Sequence, residues 1–128
     1  MRAYIVENSE IIRVRLALLL AEIEGLELVG QAGSARIATE EISRLKPDVV
    51  LLDIKLSDGN GLDVLESIQV QRLKSRTIVM TFDPYSQYRK RAIELGATCF
   101  LDKAKEFEDI RLIIEQMVAE QYLTLKIA

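Results

Sequence analysis

The chain has no histidine, a single cysteine at Cys99, two prolines, and no apolar run near the roughly 20 residues that a bilayer-crossing helix needs. Without histidine, Ser-His and Cys-His nucleophile systems and imidazole metal sites are excluded. One cysteine excludes an internal disulfide and a cysteine zinc cluster, and it fits a reducing compartment. The opening residues Met1-Arg2-Ala3-Tyr4 lack the layout of a secretory leader, so the expectation is a soluble, cytoplasmic protein with no membrane insertion. A net charge of −3 disfavours direct binding of nucleic acid, whose phosphates call for a basic face. What is present is apolar material for one core: 128 residues, 49% of them hydrophobic, which suits one domain and not two. With six glycines and 29% charged residues the composition is that of an ordered domain, without repeats or low-complexity segments.

Apolar runs alternate with amphipathic stretches along the whole chain, the pattern of an α/β domain with a parallel sheet. The first strand is expected over Ala3 to Val6. Ser9 then caps a helix with Ile12, Leu16, Leu19, Leu20 and Ile23 at helical spacing and Gly25 as its stop. A weaker strand runs from Leu26 to Gln31. Ser34 opens a second helix, carrying Ile37, Ile42 and Leu45, that cannot continue through Pro47. Val49-Val50-Leu51-Leu52 is the strongest strand signal and ends at Asp53. The turn formers from Lys55 to Gly61 predict an exposed loop before a helix from about Leu62 to Leu73. Thr77 to Thr81 is the fourth strand. Asp83-Pro84 predicts a cap with proline at the first helical position, and Gly96 closes that helix. Thr98 to Leu101 is the fifth strand. The last helix is expected from near Lys105, with Phe107, Ile110, Ile113, Ile114, Met117 and Val118 on one face.

In an open parallel sheet ligands sit outside the carboxyl ends of the strands, so the residues just after each strand carry the chemistry. These are Glu7 and Asn8, Asp53, Thr81 and Lys103. In strand order 2-1-3-4-5, Asp53 stands at the centre, and Lys103 is long enough to reach it from two strands away. Carboxylates, an amide and a main-chain carbonyl offer oxygens to a hard divalent cation, while a lysine and a hydroxyl suit the oxygens of a phosphoryl group. The implied chemistry is phosphoryl transfer to an aspartate, giving a labile acyl phosphate suited to a reversible signal.

These residues resemble the receiver domain of two-component response regulators over nearly the whole chain. V-V-L-L-D-I-K-L-S-D-G-N-G-L-D-V-L looks like the family's phosphoacceptor strand and loop, with Asp53 as acceptor. I-V-M-T resembles the strand bearing the switch hydroxyl, here Thr81, and C-F-L-D-K the strand bearing the essential lysine, here Lys103. A-I-E-L-G-A between them is also similar to the family. The resemblance implies a flavodoxin-like (βα)5 doubly wound fold, Mg2+ held by Glu7, Asn8, Asp53 and the carbonyl of Lys55, and Phe100 as the aromatic switch residue that turns inward with Thr81. It further implies a phosphohistidine donor on a sensor histidine kinase or histidine phosphotransfer protein, and a downstream protein that reads the switch. The fourth and fifth helices, with Arg89-Lys90-Arg91, offer a surface for such partners or for a homodimer.

Four positions depart from the family pattern. Glu7-Asn8 stands where a pair of acidic residues is usual, which weakens metal binding unless Glu7 reaches the ion. Phe82 follows the switch threonine where a small residue is usual, and its ring either crowds the phosphoryl site or swings out as a lid, slowing transfer in both directions. Ala104 follows Lys103 in place of a proline, and a cis bond there would cost about 2.5–4 kcal/mol. Ser57 replaces a common proline.

Blander roles stand beside these. Asn8 or Ser9 can simply cap the first helix, Phe100 can be core packing, Arg89-Lys90-Arg91 a solvated face, and Cys99 a small buried hydrophobe. The tail from Tyr122 to Ala128 alternates Leu123, Leu125 and Ile127 with Thr124 and Lys126, a strand-like pattern, against which a continued helix is the plain alternative. The reading is therefore a receiver domain over 1–121 and a tail over 122–128, with no output domain and no enzymatic activity beyond self-catalysed transfer to and hydrolysis from its own aspartate. The rivals are a pseudo-receiver that acts as a phosphorylation-independent binding module, and an aspartyl phosphatase, which would want an aspartate where Lys55 stands. A Rossmann or flavodoxin nucleotide binder is disfavoured because E-N-S-E lacks phosphate-cradling glycines.

Overall fold

A computed structural model describes residues 1–83 and 86–127; the expected helix-start role of Pro84 lies outside the described residues. Seven strands and five helices follow in order: β1 (Arg2–Val6), α1 (Glu10–Ala21), β2 (Glu27–Ala32), α2 (Ala35–Leu45), β3 (Val49–Asp53), β4 (Lys55–Leu56), β5 (Gly59–Asn60), α3 (Gly61–Val70), β6 (Arg76–Thr81), α4 (Ser86–Glu94), β7 (Cys99–Asp102) and α5 (Asp109–Ile127). Five strands form one parallel sheet in the order β2-β1-β3-β6-β7. With the small β4–β5 hairpin set aside, this is the expected 2-1-3-4-5 doubly wound order.

The inner strands β1, β3 and β6 are buried on both faces, as a parallel sheet covered by helices requires. Every residue of β3 is buried, and its side chains alternate between two cores. Val50 and Leu52 join Tyr4, Ile42, Leu65 and Phe100 on the side of α2, α3 and α4. Val49 and Leu51 join Leu16, Leu20, Ile110 and Ile114 on the side of α1 and α5. Ser9 and Ser34 cap α1 and α2 as expected, each accepting a hydrogen bond from the N–H three residues on.

Three local expectations are corrected. The stretch after Asp53 is not a bare loop: Lys55–Leu56 pair antiparallel with Gly59–Asn60, and Leu56 is buried. The last helix begins at Asp109 and not near Lys105, with turns between. The tail is helical: α5 runs unbroken past the 121/122 boundary to Ile127, leaving Leu123 and Leu125 exposed. Extending an existing helix gains one hydrogen bond per residue, whereas a strand needs a partner to pair with.

At the opposite end of the sheet from Asp53, α2 and α3 close in left-handed turns at Lys46 (φ 49°) and Arg72 (φ 56°), the two non-glycine residues with positive φ among those described. A side chain there costs about 1–2 kcal/mol that glycine would avoid. No helix among the described residues is long and apolar enough to cross a membrane.

Candidate functional site

The sheet register sets the site. Val6 pairs with Leu52 and Asp53 with Met80, so the residues following β1, β3 and β6 emerge at one level. Glu7 continues the β1–β2 ladder through its N–H to the Ala32 carbonyl at 2.9 Å, and Lys103 continues β6–β7 through its N–H to the Thr81 carbonyl at 2.9 Å. Glu7, Asn8, Lys55, Asp53, Thr81 and Lys103 all line one cavity of about 190 Å³, shared with Ser9, Ile12, Phe82 and Asp83.

Within it the ammonium of Lys103 bonds directly to Glu7 Oε1 and lies 3.1 Å from Asp53 Oδ1. The other Glu7 oxygen accepts the Ser9 N–H at 2.9 Å. The Arg13 guanidinium donates to the Glu7 carbonyl at 2.7 Å, tying α1 to the end of β1. Burial pushes the Asp53 carboxyl up to about 6; Lys103 pulls it down and the charge of Glu7 pushes it up again. Thr81 is 2% exposed, and its hydroxyl oxygen accepts the Asp83 N–H at 3.0 Å.

The segment after Asp53 is clasped from two sides. A Cβ at Gly61 would strike the Asp53 carbonyl oxygen, so glycine is what lets α3 start against the strand end. Its N–H donates to the Ile54 carbonyl at 2.6 Å. The Asp58 carboxylate accepts the first two N–H groups of α2, Ala35 at 2.6 Å and Arg36 at 3.1 Å, and these bonds hold its carboxyl below the usual range. From sequence Asp58 reads only as a turn former, because its partners lie 22 and 23 residues earlier.

The donor set suits a hard divalent cation in kind: all oxygen, with two carboxylates, an amide and a main-chain carbonyl. It is short in charge. Both oxygens of Glu7 are engaged, Asn8 is neutral, and no group of three or more His, Cys, Asp and Glu able to hold a metal occurs among the described residues. Glu7 is thus brought to the site, but as the counter-ion of Lys103.

Phe82 is 61% exposed with its ring centroid 5.1 Å from the Lys103 ammonium, in cation–π range, so it forms an outer wall instead of filling the cavity. Phe100 is not at the site. It is 7% exposed in the core, under the Arg89 guanidinium at 5.4 Å, already turned inward. The peptide after Lys103 is trans, as no cis bond occurs among the described residues. Asp83 lines the cavity too, a carboxylate that sequence reading assigned only to helix capping.

Residues 3–115 match the model of the response regulator receiver domain. The chain is 29% identical over 128 residues to the response regulator GacA of Pseudomonas aeruginosa, covering 99% of this chain and 60% of that protein. It is 34% identical over 118 residues to the transcriptional regulatory protein PdtaR of Mycobacterium tuberculosis, covering 92% of this chain and 57% of that protein. The chain therefore spans somewhat over half the length of these curated relatives. Its fold is similar to that of a DNA-binding response regulator of the LuxR family from Staphylococcus aureus, with TM-score 0.84 and 22% identity over 91% of this chain and 98% of that one.

Proposed function

The chain belongs to the response regulator receiver domain family, and from that premise we propose that Asp53 accepts a phosphoryl group from a phosphohistidine of a sensor histidine kinase or histidine phosphotransfer protein and signals to a protein partner by a change of shape. The observation that carries this reading is the ammonium of Lys103 held 3.1 Å from Asp53 Oδ1, inside a cavity that also holds the Thr81 hydroxyl.

In the transfer, an oxygen of Asp53 bonds to phosphorus as the phosphorus–nitrogen bond of the donor breaks. The electron pair stays on the departing imidazole, which takes up a proton from solvent. Lys103 moves from the Asp53 carboxylate to a phosphoryl oxygen, keeping its charge in contact with the anion it balances. Thr81 turns its hydroxyl proton from the Asp83 carbonyl, 3.4 Å away, to another phosphoryl oxygen, pulling the end of β6 inward. Asp53, the Lys55 carbonyl, Asn8 and Glu7 would hold Mg2+, which would supply positive charge against the transferred group. The buried ring of Phe100 lies in the packing through which that movement reaches the α4 side. No external substrate is turned over.

One observation favours the rival, a binding module that takes no phosphate: Glu7 is committed to Lys103 and Ser9, next to a neutral Asn8. Intact-mass spectrometry after incubation with a small-molecule phosphodonor, with and without Mg2+, decides between them. One phosphoryl group gained by the native chain and none by Asp53→Asn supports the phosphoacceptor. No gain at high Mg2+, nor with a histidine phosphotransfer donor, leaves the binding module.

A further inference from the structure

At the amino end of the sheet, opposite Asp53, a cleft of about 410 Å³ opens between the end of α2 and the turn joining α3 to β6. Lys46, Arg72 and Lys74 line it, all exposed, and none has an ion-pair partner among the described residues. Cations at helix ends ordinarily serve the orphan carbonyls there. At the end of α2 that role is taken by Arg2. Its guanidinium donates to the Leu45 carbonyl at 2.5 Å and the Lys46 carbonyl at 3.5 Å, and its N–H satisfies Asp48 Oδ2 at 2.7 Å. Ser75 Oγ donates to the Pro47 carbonyl at 2.5 Å.

The carbonyls of Leu45, Lys46 and Pro47 and one oxygen of Asp48 are thus already met, and three positive charges are left over. Two partial charges of about −0.5 from the helix ends and one carboxylate do not balance them. Lys46 and Arg72 moreover occupy left-handed backbone that glycine would adopt with less strain, so their side chains are held in place at a conformational cost. Val70, at the end of α3 and two residues before Arg72, is 73% exposed.

We infer that this cleft is a docking surface for an acidic segment of a partner protein, whose carboxylates pair with Lys46, Arg72 and Lys74 and whose apolar side chains lie against Val70 and the lysine stems. Charge complementarity is the argument: a cationic cleft beside an apolar side chain matches an acidic, partly apolar peptide. The surface is remote from the phosphoacceptor end, so occupation there leaves Asp53 open to its donor.

The test is a nuclear magnetic resonance titration of the full isotope-labelled chain with a synthetic peptide of alternating glutamate and leucine, and separately with inorganic tripolyphosphate. The expected result is saturable peptide binding, weakened by salt, with shifts at residues 46–48 and 70–75. Lys46→Gly with Arg72→Gly should leave the melting temperature equal or higher and weaken binding about tenfold or more. Lys74→Glu, which changes no left-handed position, should weaken it comparably and keeps the test intact if the double variant fails to fold. Unchanged affinity in these variants, shifts centred on Arg89 to Arg91, no saturable binding, or binding of tripolyphosphate alone would each overturn the inference.

Discussion

Lys103 stands between two carboxylates, in contact with Glu7 and 3.1 Å from Asp53, with none of the three side chains more than 9% exposed. Burial is the main cause of the raised pKa of Asp53, and one cation serving two buried anions leaves a negative charge in excess that raises it further. Glu7→Gln removes that excess. It should lower the Asp53 pKa, because Lys103 then serves Asp53 alone, and cost about 1–2 kcal/mol, below the roughly 3–5 of an orphaned buried charge. A carbon-detected titration of the Asp53 carboxyl reads the first effect and urea unfolding the second. An Asp53 midpoint unmoved by the substitution contradicts the arrangement.

The pH dependence follows from the same shift. The folded pKa of Asp53, about 6, lies above the unfolded value near 3.8, so the native state holds the proton more tightly. Stability from this group is therefore fully present below about pH 4 and is lost as the pH rises through about 6, by on the order of 3 kcal/mol. Asp53→Asn should be more stable than the native chain at neutral pH, and the difference should vanish near pH 4. Phosphorylation, which uses the ionised carboxylate, should rise with pH through the same window. Parallel unfolding curves of the two proteins across that range check the sign.

Asn8→Asp adds the charge that the proposed metal site lacks. Mg2+ affinity should rise about tenfold for each 1.4 kcal/mol gained, with phosphorylation reaching its maximal rate at lower Mg2+. Calorimetric titration of both proteins would show it. An unchanged affinity would mean that residue 8 does not face the ion.

Phe82→Ala opens the wall over Lys103. A small-molecule donor should phosphorylate this variant several-fold faster, and the acyl phosphate should hydrolyse faster too, because water gains the same access. Time courses of gain and loss by mass spectrometry separate the two rates. If neither changes, the ring is no lid.

Gly61→Ala puts a methyl group against the Asp53 carbonyl. The expected loss is about 1–3 kcal/mol or more from overpacking against backbone that cannot retreat, together with slower phosphorylation. Serine or alanine at the exposed Gly59 gives the control, since nothing lies closer than 3.8 Å to a Cβ there.

How much of this was legible in the sequence depended on the range of the interaction. The buried run Val49 to Leu52, the serine caps and the placement of Asp53, Thr81 and Lys103 at strand ends follow from local pattern together with strand order. The pairing of Glu7 with Lys103 does not, because the two residues lie 96 positions apart in the chain. Asp58 shows the same limit, its hydrogen-bonding partners being at the start of α2. The alternation from Tyr122 onward was a true sequence pattern overruled by the helix already growing into it.

The central, wholly buried position of β3 separates the site by timescale. Both edges of that strand are paired, to β1 and β6, so its amides should exchange with solvent only through global opening. Asp53 ends a strand paired along both edges, while the Thr81–Asp83 contact and the exposed Phe82 ring depend on no hydrogen bond of that strand. A site so divided should change shape in its periphery many times between openings of the strand that carries Asp53.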